Sequence, residues 1–178
     1  QTLQEPEWSS LFQRYEGWSG ADGIYSIPLS GSEVESNKTL IVFSDTFIGS
    51  VDSITNERIT PTSMVNNTYA ILYGEQAIED SIDFFFYTDE DNIPISVFEP
   101  QTQAAQPGDW YWLMDGMSIN GTIYLYALRM NNNIPPFSID GVALITFQVD
   151  YDGSLINVVQ SDTPLYYEYD NGDHVVYG

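Results

Sequence analysis

The chain has 178 residues, no cysteine, and 26 acidic residues against 4 Lys plus Arg, for a formal net charge of −22. Such a surface repels phosphate backbones and anionic headgroups, which excludes nucleic acid as a ligand and leaves neutral molecules, cations or metal ions. No apolar run approaches the roughly 20 residues of a membrane helix, and the lack of thiols removes disulfides, zinc-thiolate sites and cysteine nucleophiles together.

Hydrophobic residues make up 43% of the chain, enough for one domain with a proper core. Residues 1–18 read as a lead-in. Ser9–Tyr15 either makes one helical turn or straps across sheet edges, anchored by Trp8 and Trp18. Gly23–Leu29 and Thr39–Ile48 are two strands joined by the polar loop Ser30–Lys38, whose Ser, Glu and Asn favour turns. Val51–Pro61 is a polar connection. Ser63–Tyr73 and Ser81–Thr88, the latter with three consecutive Phe, are strands. Asp89–Asn92 is an acidic turn, and Ile93–Phe98 is a short strand. Glu99–Asp109, with two prolines and three glutamines, reads as a surface loop.

Trp110–Leu113 leads into a second hairpin, Asp115–Leu128, that ends near Met130. Asn120-Gly121 supplies its tight turn. Asn131–Pro136 is a turn, Val142–Val149 a strand, and Tyr151-Asp-Gly-Ser a turn into the return strand Leu155–Val159. Thr163–Tyr169 is aromatic and acidic, and Val175-Val-Tyr opens a further strand. No amphipathic helix of ordinary length is visible.

The two hairpins share a pattern. Asp-Gly opens each, at Asp22 and Asp115; a small apolar strand and a turn follow, and Thr39 or Thr122 starts the second strand. Phe43 then matches Tyr126, and Asp45 matches Leu128. The opener is repeated and the second aspartate is not. Strands at 10- to 20-residue spacing with such a repeat predict an all-β fold of the propeller type, about four strands per blade. Blade one covers about 19–98, blade two about 110–160, and about 165–178 starts a third. Two blades do not close a ring, so the chain is expected to be the N-terminal part of a longer domain. The remainder of that propeller is then a partner.

Gly20-Ala-Asp-Gly-Ile-Tyr-Ser-Ile-Pro-Leu, followed by Thr39-Leu-Ile-Val-Phe-Ser-Asp-Thr-Phe-Ile-Gly, resembles a bacterial family of five-bladed β-propeller domains of unknown function. Trp110-Tyr-Trp-Leu-Met-Asp-Gly is similar to the opening of blade two in that group. The broad group includes endo-D-arabinanases and other furanosidase-like glycoside hydrolases. The resemblance implies that first strands of the blades line an axial channel where carboxylates meet. Asp22 and Asp115 would face that channel, with Asp45 supporting them, and His174 would enter from blade three. It also implies an exported bacterial protein, extracellular, cell-surface or periplasmic, acting on a poly- or oligosaccharide.

Glycoside hydrolysis needs one carboxyl protonated and another ionised. Asp22, Asp115 and Asp45 are therefore the catalytic candidates, and Trp18, Tyr25, Trp112 and His174 the substrate-binding ones, with Trp110 and Tyr111 adding to a stacking floor. Against this stands ordinary architecture: Asp-Gly is a common turn, and aspartates often cap local N–H groups. No cofactor is expected, and the Asp89-Glu-Asp-Asn turn could hold only Ca²⁺, through oxygen ligands. The alternatives are a noncatalytic carbohydrate-binding or surface-interaction propeller, and a structural propeller whose aspartates lock strands.

Overall fold

The computed structural model describes residues 5–32 and 37–177. Part of the loop expected over Ser30–Lys38, positions 33–36, lies outside the described residues. The lead-in forms a short helix, α1 (Pro6–Leu11), with proline in its first turn, where a missing N–H costs nothing. Leu11 is buried under it, whereas Trp8 stays exposed.

Three long antiparallel strands follow, and each breaks at the same level. The first is β1 (Trp18–Ala21) and β2 (Tyr25–Pro28); the second is β3 (Lys38–Phe43) and β4 (Thr46–Val51); the third is β5 (Arg58–Val65) and β6 (Thr68–Tyr73). On one side of the break, β1, β4 and β5 form a three-stranded sheet in the order β1-β4-β5. On the other, β2, β3 and β6 are joined by β7 (Ile82–Phe85) in the order β2-β3-β6-β7. Thr39–Ile48 and Ser63–Tyr73, expected as single strands, are thus each divided between two sheets. The divisions fall at Ser44-Asp45 and Asn66-Asn67, polar residues that offer the backbone local partners in place of ladder bonds.

The sheet β2-β3-β6-β7 is covered on both faces, which explains the unbroken apolar run in β3. Leu40 and Val42 point to one side with Ile27, Tyr69 and Ile71. Ile41 and Phe43 point to the other, against Trp18, Leu11, Ala70 and Leu72. Burying one such aliphatic side chain contributes about 1.5–3 kcal/mol.

A two-stranded pair, β8 (Tyr87–Thr88) and β9 (Pro94–Ile95), precedes the loop 99–109. The second four-stranded sheet is β10 (Trp110–Ile119), β11 (Thr122–Asn131), β12 (Ser138–Val149) and β13 (Leu155–Asp162), all antiparallel and paired in chain order. Asn120 and Gly121 both have positive φ, as the expected two-residue turn requires. Ile123, Leu125, Ala127, Ile145 and Phe147 face the first sheet and complete the larger core with Leu113. Gly116 permits this approach. A Cβ there would sit 2.5 Å from the Tyr124 carbonyl and 2.9 Å from Ile27 Cδ1. The strand expected at Val175-Val-Tyr is β15 (His174–Val176), which pairs with β14 (Tyr166–Glu168). Among the described residues the fold is all-β, with 15 strands in several antiparallel sheets and almost no helix.

Candidate functional site

The shared break in the three long strands gathers polar residues into one seam. Asp22 lies between β1 and β2, Ser44 and Asp45 between β3 and β4, and Asn66 and Asn67 between β5 and β6. Backbone bonds hold the first two levels together. The Asp22 N–H donates to the Asp45 carbonyl at 3.1 Å, and the Ser44 N–H donates to the Asp22 carbonyl at 2.9 Å. The two aspartates are therefore cross-strand neighbours.

The Asp45 carboxylate is held from two directions. Asn66 Nδ2 donates to its Oδ1 at 3.2 Å, and Trp112 Nε1 donates to the same oxygen at 2.9 Å. Trp112 belongs to β10, so this carboxylate brackets the first sheet to the second. Ser44 adds a second bracket, its hydroxyl donating to the Leu113 carbonyl at 3.2 Å. The buried Asn67 adds a third: Nδ2 donates to the Phe98 and Tyr111 carbonyls, and Oδ1 accepts the Phe98 N–H.

Asp22 has a different environment. It lines a cleft of about 310 Å³ with Gly23, Tyr25, Ser44, Trp112 and Leu128. Its residue is exposed overall, yet its carboxyl is pushed above the usual carboxylate range. Desolvation at the cleft wall is the main cause, and the negative charge of Asp45 adds to it; the Asp45 backbone N–H pulls the other way. The site thus contains one carboxyl that resists ionisation beside another that is fixed by two N–H donors.

Three of the expected site residues, Asp22, Tyr25 and Trp112, line this single cleft, and Asp45 stands behind it. Asp115 does not line it; the chain turns Met114 into the cleft instead. Asp115 is exposed within the β10 bulge between Leu113 and Gly116, and its carboxylate accepts the N–H of Gly116 at 2.8 Å. Within the described cleft the carboxyl neighbour of Asp22 is Asp45, its cross-strand partner, and Asp115 lies outside the lining.

Trp18 requires correction. It is 4% exposed, stacked on Phe84 at 4.3 Å between ring centroids, and its Nε1 donates to Thr68 Oγ1. An indole so enclosed has no face left for a sugar. Tyr111 is also buried, with its hydroxyl donating to Gln160. Trp110 packs against Trp112 at 6.4 Å and lines a neighbouring groove. His174 is exposed on the β14-β15 pair, 5.8 Å from the Tyr166 ring, and does not line the cleft. In the acidic turn, Asp89 Oδ1 accepts the N–H groups of Asp91 and Ile93, the ordinary capping use of such a carboxylate. Among the described residues no group of three or more His, Cys, Asp or Glu is placed to hold a metal ion.

Sequence reasoning missed Asn66 and Ser44. The signal was present: an Asn-Asn pair interrupts an otherwise apolar strand, and such a pair inside a ladder calls for side-chain partners.

A family model described as Domain of unknown function (DUF5005) matches residues 5–175. No curated protein matches the chain. Among solved structures, a protein from Bacteroides ovatus ATCC 8483, described as a "putative hydrolase", is similar with a TM-score of 0.67 at 17% identity. The match covers 88% of this chain and 43% of that one, so the chain spans under half the length of that relative. At this identity the likeness is one of fold.

Proposed function

We propose, for a chain that belongs to the DUF5005 family of domains of unknown function, that it is part of a carbohydrate-active hydrolase cleaving glycosidic bonds. The two four-stranded sheets are blades one and two of a five-bladed propeller of the furanosidase type. The protein acts outside the bacterial cytoplasm on a poly- or oligosaccharide and needs no cofactor. The observation that carries this reading is the Asp22–Asp45 pair at the wall of an aromatic cleft. A carboxyl raised by desolvation and a like charge is suited to donate or accept a proton during hydrolysis. Tyr25 and Trp112 offer the apolar faces that sugar rings stack on. Asp45 adds its like charge to the desolvation that raises Asp22, and it accepts the Trp112 N–H. Asp115, one residue past Met114 at the edge of the cleft, is the candidate second carboxyl from blade two. The hydrolase description of the Bacteroides ovatus relative agrees with this reading.

A second reading is favoured by the bracket itself. Asp45 accepts two side-chain N–H bonds that tie the sheets together, as it would in a noncatalytic carbohydrate-binding propeller. Screening the whole protein against plant and microbial glycans, with reducing ends and binding measured in parallel, separates the two. The hydrolase reading expects new reducing ends from at least one glycan; binding without release supports the module.

A further inference from the structure

We propose that the cleft beside Arg58 receives a carboxylate carried by the ligand, so that the glycan reaching Asp22 is an acidic one containing uronate residues. This inference rests on the glycan reading above. The cleft, about 450 Å³, is bounded by α1, the segment after it, and the far ends of β4 and β5. Its polar lining includes Ser9, Gln13, Tyr15, Asn56, Arg14 and Arg58, and no acidic residue lines it. In a chain with 26 acidic and 4 basic residues, two of the four bases lie in this one depression.

The two arginines are not alike. Arg14 is already engaged: Nε donates to the Leu11 carbonyl at 2.9 Å, and its guanidinium reaches Glu79. Arg58 Cζ sits over the Phe47 ring, 3.8 Å from its centroid, and the side chain pairs with no carboxylate among the described residues. Contact with the ring holds the guanidinium by its face, and a guanidinium so held keeps N–H groups for a partner. A carboxylate matches such a fork with two parallel bonds. The charge of −22 repels anions at range, but salt limits that reach to about 8 Å under physiological conditions. A guanidinium that makes no ion pair among the described residues can therefore still decide recognition locally.

Position links this cleft to the first. Phe47 follows Asp45 by two residues, and Gly20 precedes Asp22 by two. Gly20 and Phe47 are direct cross-strand partners. A Cβ at Gly20 would lie 3.4 Å from Arg58 Nη2, so the guanidinium rests over this pair. Two residues of strand span roughly 7 Å. A ligand a few sugar units long reaches both places.

The test is an NMR titration of the ¹⁵N-labelled protein with trigalacturonate and, separately, its methyl ester. Arg58 Nε–H reports this cleft, and the Trp112 indole N–H reports the other. Both resonances should move with the acid, and Arg58 should not move with the ester. Arg58→Ala and Arg58→Lys should each weaken trigalacturonate about tenfold, since lysine keeps the charge but loses the fork. Their melting temperatures control for folding. Movement of Trp112 with either probe while Arg58 stays still overturns the inference and leaves the glycan reading standing. Movement of Arg58 without Trp112 overturns the link between the two clefts. If neither resonance moves, the inference also fails, and the glycan reading is judged on the neutral members of the screen.

Discussion

Asp45 Oδ1 accepts the indole N–H of Trp112 at 2.9 Å, joining residues 67 positions apart and two separate sheets. This bond makes one carboxylate both a brace and an electrostatic neighbour of Asp22. Trp112→Phe keeps a ring in the cleft and deletes the donor. Hydrogen bonds to charged groups contribute about 1.5–3 kcal/mol, and Asn66 still holds the same oxygen. A loss of about 1–2 kcal/mol in urea unfolding is expected. An unchanged midpoint would show that the bond does not brace the sheets.

The raised carboxyl of Asp22 has a consequence for stability with a definite sign. Its folded value lies above the ordinary 3.8. Between 3.8 and that folded value, the native state binds more protons than the unfolded chain. The Asp22 contribution to stability therefore falls as pH rises through this window and is unfavourable above it. Asp22→Asn should leave the protein as stable as wild type at pH 7, or slightly more so. Asp45→Asn should lower the Asp22 pKa by removing the like charge, while desolvation keeps it above 3.8. Carboxyl ¹³C titration measures both; an Asp22 pKa unchanged in Asp45→Asn would dissolve the proposed coupling.

Arg129 tests how the loop 99–109 is held. Its side chain is 7% exposed and bonds Asp109 at 2.9 Å, Asp140 at 2.8 Å and the Ala104 carbonyl. The Asp109 side chain is itself 3% exposed. Arg129→Met would strand that carboxylate without its cation, at a cost of about 3–5 kcal/mol. Limited proteolysis should then cut first within 99–109. Cleavage elsewhere first would place the weak point away from this ion pair.

Gly116 tests the contact between sheets. Gly116→Ala introduces a methyl 2.5 Å from the Tyr124 carbonyl and 2.9 Å from Ile27 Cδ1. Overpacking of this kind costs about 1–3 kcal/mol. Trimming the opposing group with Ile27→Val should recover part of the loss. A double variant no better than the sum of its parts would argue against direct packing there.

Much of the architecture was legible because β-strand signals are local. The Asn120-Gly121 turn, the strand within Ser138–Val149 and the turn at 151–154 follow from pattern and turn chemistry alone. The polar pairs Ser44-Asp45 and Asn66-Asn67 mark the breaks in the sequence, but apolar residues continue on both sides and period does not reveal that the strand changes sheet there. The start of β5, Arg58–Pro61, read as part of a connection since these four residues are all exposed. At the site, Asp22, Tyr25 and Trp112 could be named from the Asp-Gly opener and the aromatic runs. The bracket through Asp45, and the burial of Trp18, depend on contacts between residues dozens of positions apart.

The most direct measurement is glycan turnover by the whole protein and its Asp22→Asn variant, with melting temperatures recorded beside it. The account predicts wild-type release of reducing ends, a loss of at least about a hundredfold in Asp22→Asn, and a melting temperature equal or higher in the variant. Undiminished turnover in Asp22→Asn, or a wild type that releases nothing from any glycan, would contradict it.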